Sequence, residues 1–467
     1  MKRSLKIGVT LLVSVAGLAA QPARGQCDPQ EFLKVLASDA TSDLSFGLGI
    51  AINGDLAVVG APQDDTMAED AGAAYLFRYD GTTWVEEAKL VAADGETYDA
   101  FGTGVAIDGD VILIGAWWDS DNGSSAGAAY VFRYDGTSWN QQAKLVASDP
   151  LPNAWFGYRV DLSGDVAIIS AWGDGGATVF AGAAYIFRYD GTTWNQEAKL
   201  LSPAPNVTDY FGYNVAIEGD LAAVGSLGDD AGVTDGGAVH VYRYDGSAWN
   251  HEATLVSDDI ATYDQIGVSV RILGDRIFTG AYGDDDTSGA VYVFDYDGTS
   301  WTQTAKIIAS DRFPGDGFGW WIDAEGDLLL VSSDTDDDNG DSSGSAYLYR
   351  DADGTWIEEA KLLPSDGDAG DNFAYALGLS HGWALIGAPD NQDLGEMTGS
   401  AYFFTLGCAV AGDIDGDGDV DLADLALLLA AYNTCAGDPN FNPAADLDGD
   451  ECVNLSDLAI LLANYGG

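Results

Sequence analysis

The carboxyl end of the 467-residue chain gathers its acids into two evenly spaced sets. Asp413, Asp415, Asp417, Asp421 and Asp424 stand at positions 1, 3, 5, 9 and 12 of a twelve-residue stretch, with Gly418 at position 6 and Val420 at position 8. A second copy begins 33 residues on, with Asp446, Asp448, Asp450, Asn454 and Asp457. Calcium chemistry accounts for the spacing. Six to eight oxygens must converge on one point, a glycine lets the loop turn sharply, and the last carboxylate can bind through both oxygens.

Each loop runs into the same apolar text, DLAxLLAxY, which reads as a helix over residues 425–432 and again over 458–465. No helix is expected before either loop. Leu425, Leu428, Leu429 and Tyr432 make one stripe, and Leu427 and Ala430 carry apolar surface round the cylinder. Packing one face on the sister helix leaves another for a partner, or for the rest of the chain, to cover. The unit, residues 411–467, resembles a type I dockerin, the duplicated loop-helix module that docks onto cohesin domains. The resemblance implies two Ca2+ sites, one on the side chains of Asp413, Asp415, Asp417, Asp421 and Asp424, the other on Asp446, Asp448, Asp450, Asn454 and Asp457. The position-7 carbonyls of Asp419 and Cys452 would join them. Glu451 replaces the second position-6 glycine, where a Cβ makes a positive-φ turn costly, so the second site is expected to be weaker. A cohesin-like partner is also implied, although positions 10 and 11, polar in many dockerins, are here Leu422-Ala423 and Leu455-Ser456. The competing reading is a self-packed helix pair that serves only as a calcium-stiffened terminus.

Upstream, one sentence is written seven times. Phe46-Gly47, Phe101-Gly102, Phe156-Gly157, Phe211-Gly212, Ile266-Gly267, Phe318-Gly319 and Phe373-Ala374 mark a period of 55 residues, once 52. In the second copy FGTGVAID alternates and ends in the turn Asp108-Gly109, and VILIGA is a continuous apolar run. GAAYVFRY is a third strand closed by Asp135-Gly136, and TSWNQQAKLV a more polar fourth. Such a sheet has two apolar faces that only neighbouring copies can cover, so the repeats predict an all-β closed ring, a seven-bladed β-propeller. Trp84, Trp139, Trp194, Trp249, Trp301 and Trp356 recur at one position per blade and are assigned to packing.

The seventh copy lacks its fourth strand, and residues 32–39 align with the fourth strand of blade one. The amino terminus is therefore expected to complete the last blade. Cys27 and Cys408 would then meet at the tip of a cut hairpin, which predicts one disulfide and leaves Cys435 and Cys452 to form the other. The expected organisation is an export signal over residues 1–25, the propeller over 26–408 and the small helical calcium-binding domain over 409–467.

Gly60-Ala61-Pro62 and Gly387-Ala388-Pro389 each follow their marker by the same interval. With the markers they resemble the FG-GAP repeats of integrin α-chain propellers and related bacterial exported proteins, over residues 31–407. The integrin calcium loop between the first two strands is not carried over, because a short x-Gly-Asp hairpin stands there.

Hairpins 1–2 and 3–4 share one end of the ring and hardly vary. The 2–3 loops and the linkers between blades share the other end and vary. They carry Trp117, Trp118 and Asp119, Trp155, Trp172 with Asp174, Tyr282 with Asp284, and Asp334 with Asp336. Aromatic plates beside carboxylates suit stacking on a glycan or engaging an extracellular protein. The alternative is that the rings close the blade tips and the aspartates are solvated turn formers.

A balance of 19 Lys+Arg against 75 Asp+Glu, net -56, argues against nucleic acid and anionic membrane surfaces. Lys2, Arg3 and Lys6, the apolar residues 7–20 and Ala23-Arg24-Gly25 read as a secretory signal, and no later stretch reads as a membrane span. Four cysteines suit an oxidising compartment. Only three histidines occur, His240, His251 and His381, on different blades and without a nucleophile motif. The reading is a secreted, cell-surface or periplasmic protein for binding or adhesion, non-catalytic, attached through its calcium-dependent tail. The alternative is a glycoside hydrolase, a lyase or an accessory subunit of polysaccharide breakdown, with two loop carboxylates as acid and base.

Overall fold

The computed structural model describes residues 27–40, 43–395, 397–408, 412, 414, 420, 422–447, 452–463 and 465. The export signal expected over residues 1–25 lies outside them. One compact unit is Cys27–Cys408, and another includes Ala409–Gly467.

Cys27–Cys408 holds seven four-stranded antiparallel sheets. In the second, Phe101–Asp108, Val111–Ala116, Ala128–Tyr134 and Trp139–Leu145 lie side by side in chain order. All six residues of Val111–Ala116 are buried, since a strand inside a stacked sheet meets a neighbour on both faces. Trp139–Leu145 alternates with solvent, as a rim strand should.

The Phe-Gly marker acts at the seam between blades. Phe101 is fully buried, sets its ring edge-on to Tyr130, and donates its N–H to Ala71 O of the preceding blade at 3.0 Å. Gly102, at φ 103°, approaches blade one so closely that a Cβ on Gly60 would stand 1.9 Å from its carbonyl oxygen. The marker glycine and the glycine of Gly60-Ala61-Pro62 are thus two sides of one contact, backbone against backbone.

A half-buried ionic knot ties the linker to the blade it enters in blades one, two, three, five and six. In blade one the Asp64 carboxylate accepts from the Tyr75 hydroxyl at 2.8 Å and from Lys89 at 2.7 Å, and both donors also reach Asp39 of the linker. The knot recurs as Asp94, Asp119, Tyr130 and Lys144, and as Asp149, Asp174, Tyr185 and Lys199. It recurs again as Asp259, Asp284, Tyr292 and Lys306, and as Asp311, Asp336, Tyr347 and Lys361. Asp119, Asp174, Asp284 and Asp336, expected on a ligand-facing loop or as solvated turn formers, are instead buried with their carboxylates committed to these donors. The reason is that the loop folds inward after the second strand, where an unpaired carboxylate would be costly. Blade four drops the knot as a set. Ala204, His240 and Thr254 replace its linker aspartate, tyrosine and lysine, and His240 Nε2 lies 3.1 Å from Asp229.

The repeated tryptophans pin blades as well as filling space. Nε1–H of Trp139, Trp194, Trp249 and Trp301 donates to Glu87, Gln142, Glu197 and Glu252 of the preceding blade.

At the closing seam Gln30–Val35 pairs antiparallel with Ser400–Thr405, in one sheet with Trp383–Ala388 and Leu377–Ser380. Cys27 and Cys408 form a disulfide, with Cα atoms 4.1 Å apart. Phe32 stands where other blades offer an acceptor, and Trp84 stacks on Phe403 at 4.3 Å.

In the carboxyl-terminal unit the helices Leu422–Ala431 and Leu455–Ala463 meet over Val420, Leu428, Val453 and Leu461. A two-residue ladder, Thr434–Cys435 with Cys452–Val453, carries the second disulfide, Cys435–Cys452.

Two measurements test this architecture. Replacing both Cys27 and Cys408 by serine should lower propeller stability by roughly 2 to 5 kcal/mol in denaturant unfolding, with the native fold kept. Stability should also peak near pH 4, about the unfolded carboxyl value. Burial opposes the charge of Asp39, Asp149, Asp259, Asp311 and Asp366, but hydrogen bonds from lysine and tyrosine outweigh it and hold these carboxyls below their usual 3.8. Their contribution is present above that value and lost as acid titrates them. Burial pushes Asp99, Asp161 and Asp209 up to about 6 and Asp334 up to about 7. These keep their protons in the folded state while the unfolded chain ionises, so stability falls as pH rises from about 4 towards neutrality. A melting temperature at pH 7.5 equal to that at pH 5 would refute the assignment.

Candidate functional site

Of the expected calcium ligands, Asp413, Asp415, Asp417, Asp419, Asp421, Asp448 and Asp450 lie outside the described residues, as does Glu451. Asp424 and Asp457, at the last position of each loop, are fully buried. Asp424 Oδ1 accepts the Ile414 N–H at 2.6 Å, and Asp457 Oδ1 accepts the Leu447 N–H at 2.7 Å. The same bond in both copies ties position 12 back to position 2 and closes each loop. Asp457 Oδ2 also accepts from Asn454 N–H, and Asn454 Oδ1 caps the second helix through Ser456 N–H. The Cys452 carbonyl accepts from Asn454 Nδ2 at 3.3 Å. Closed loops that bury a carboxylate and draw on oxygen donors fit a hard divalent cation.

The helices leave the same side chains outside in both copies. Leu422 and Leu455 are 70% and 68% exposed, and Leu429 and Leu462 are each 54% exposed. Leu428 and Leu461, one residue before the second pair, are fully buried between the helices.

On the propeller, the variable end gathers aromatic rings into two groups. Trp117, Trp118, Trp155 and Trp172 form one continuous group across blades two and three, with Trp155 and Trp172 4.3 Å apart. Tyr158, Phe180, Tyr210 and Tyr213 extend it. Tyr282 belongs to the other, beside Trp320, which in turn meets Tyr375. Trp118 is exposed and the other three tryptophans are half-buried. Asp334 follows the second strand of blade six where Trp172 follows that of blade three, and it is buried.

The first strands of all seven blades surround an axial channel of about 370 Å³. One level of it carries Asp161, Arg271 and Asp323, with Arg271 Nε 2.9 Å from Asp323. The two carboxylates also accept backbone N–H groups of the neighbouring blades, Ile217 for Asp161 and Leu379 for Asp323. At the hairpin end, Asp108, Ser163, Glu218, Glu325 and Ser380 each accept the turn N–H of the next blade. Tyr158, Arg159, Tyr213, Trp320, Trp321 and Tyr375 were not among the residues expected at the ligand face. Their signal is positional, since each follows a Phe-Gly marker by one or two residues, where other blades carry small or aliphatic side chains.

The described residues include no helix long and apolar enough to cross a membrane. No curated protein matches the chain. Residues 411–464 match the dockerin type I domain, a known calcium-binding module. Residues 30–77, 84–132, 139–187, 194–242, 249–294, 301–349 and 356–404 each match the FG-GAP repeat. The chain belongs to the FG-GAP repeat family, as a seven-bladed propeller with a type I dockerin domain at its carboxyl end.

Proposed function

We propose that this protein is an exported, non-catalytic binding component, in which the propeller presents its variable end to a glycan or an extracellular protein. The dockerin domain attaches it, in a calcium-dependent manner, to a cohesin-like partner. The observation that carries this reading is the repetition of one closed loop and one exposed leucine pair in both copies of the helical unit. A terminus that only packed on itself would have no reason to hold Leu422, Leu429, Leu455 and Leu462 outside. Asp424 and Asp457, with the acids of their loops, would hold Ca2+. The bound ion supplies charge compensation and stiffens the loop ahead of each helix. The two disulfides suit export to an oxidising compartment.

Polysaccharide cleavage is favoured by one feature. Burial pushes the Asp334 carboxyl up to about 7, in the range of a general acid, and raises Asp390 as well. Release of reducing sugar by the native chain and not by Asp334→Asn would establish it.

Calorimetric titration of the full chain should show two Ca2+ sites of unequal affinity, with Asp424→Ala and Asp457→Ala each removing one. Capture of a cohesin domain should require Ca2+ and be lost in EDTA. Leu429→Asp with Leu462→Asp should abolish capture without changing the calcium stoichiometry.

A further inference from the structure

Arg159 stands apart among the described residues. Although the chain holds 75 acidic side chains, each other described lysine and arginine lies within ion-pair distance of a carboxylate, and Arg159 does not. It is only 5% exposed, and its Nε and Nη1 have no hydrogen-bond partner. The guanidinium lies 4.4 Å from the ring centres of both Tyr158 and Trp321. Tyr158 is in blade three and Trp321 in blade six, so the side chain reaches across the axis at the end of the channel.

Rings cover the faces of this cation, and its N–H edge remains unanswered. A buried arginine in that state lacks a pair of oxygens, and a carboxylate matches its planar fork. Trp155 and Trp172, within the same ring group as Tyr158, add the flat apolar surface on which a sugar ring stacks. We propose that the axial mouth binds a saccharide bearing a carboxylate, with Arg159 holding that carboxylate and the tryptophan wall holding an adjoining sugar. This deepens, and rests on, the reading of the variable end as a glycan-binding face. The net charge of -56 repels a polyanion from a distance, and salt screens that repulsion beyond about 8 Å. An isolated uronate on a neutral saccharide therefore fits better than a continuous polyuronate.

The test titrates the full chain, by calorimetry and tryptophan fluorescence, with two acidic probes: xylotriose carrying one 4-O-methylglucuronate, and cellobiouronic acid. Each is compared with its carboxyl-reduced counterpart. At least one acidic probe should bind about tenfold or more tightly than its reduced form. Arg159→Gln, checked for folding by circular dichroism, should erase that difference and leave the reduced form's affinity unchanged. Trp172→Ala should weaken both forms. Equal affinity for acid and reduced forms overturns the carboxylate assignment while the glycan reading stands. A preference for the acid that persists in Arg159→Gln overturns the role of Arg159. Failure of all four probes overturns the inference, and failure of a wider panel of neutral oligosaccharides would then overturn the glycan reading too. Tighter binding of a peptide with a free terminal carboxylate overturns it in favour of a protein ligand.

Discussion

The propeller depends on a place where two main chains are allowed to touch. Opposite Gly102 the position of Gly60 can carry no side chain, because the first carbon of one would lie 1.9 Å from a carbonyl oxygen. That approach fixes the distance between consecutive blades, and other contacts across the seam form because it is short. Phe101 can then reach the backbone of the previous blade, and Asp39 can reach both Tyr75 and Lys89. The seam between blades six and seven shows how far the rule bends. Ser332 and Ala374 stand in the glycine positions there, and Ala374 still adopts φ 70°.

Acidity and burial meet in the knots between linker and blade. A chain this negative cannot place carboxylates in its interior without cations, and its few lysines are placed one to a blade where two aspartates converge. Blade four shows the logic by omission. Its lysine, linker aspartate and tyrosine are all replaced, which leaves Asp229 facing His240 and no lysine beneath it. Against this background Arg159 is conspicuous, since it is held by rings alone.

The ring was legible in the sequence because every element of it is written many times. Period, strand order, the borrowed strand and the pairing of Cys27 with Cys408 all followed from aligning one copy with another. Individual side chains were less legible. Asp119 and Asp174 look like loop acids until their partners are counted out, a tyrosine 11 residues on and a lysine 25 residues on, at the same spacing in other blades. Periodicity marks the tryptophans as packing residues, and it carries no sign of their hydrogen bonds to the preceding blade. Tyr158, Arg159, Trp320 and Trp321 are not legible from the repeat, because a repeat displays what recurs and these positions matter by differing. In the helical unit the excess of leucine foretells an uncovered surface at Leu427 and Ala430, both exposed, but Leu429, expected on the packed stripe with Leu428, is exposed as well, as is Leu462.

The strand Gln30–Val35 has a consequence for how the molecule is made. Its neighbour, Ser400–Thr405, is among the last pieces of the ring to leave the ribosome, so an early segment must wait with an open edge while six complete blades assemble between them. A chain in that state is exposed to pairing with the wrong neighbour, including another nascent copy. Translocation as an unfolded thread, with closure and oxidation only afterwards, would shorten that wait.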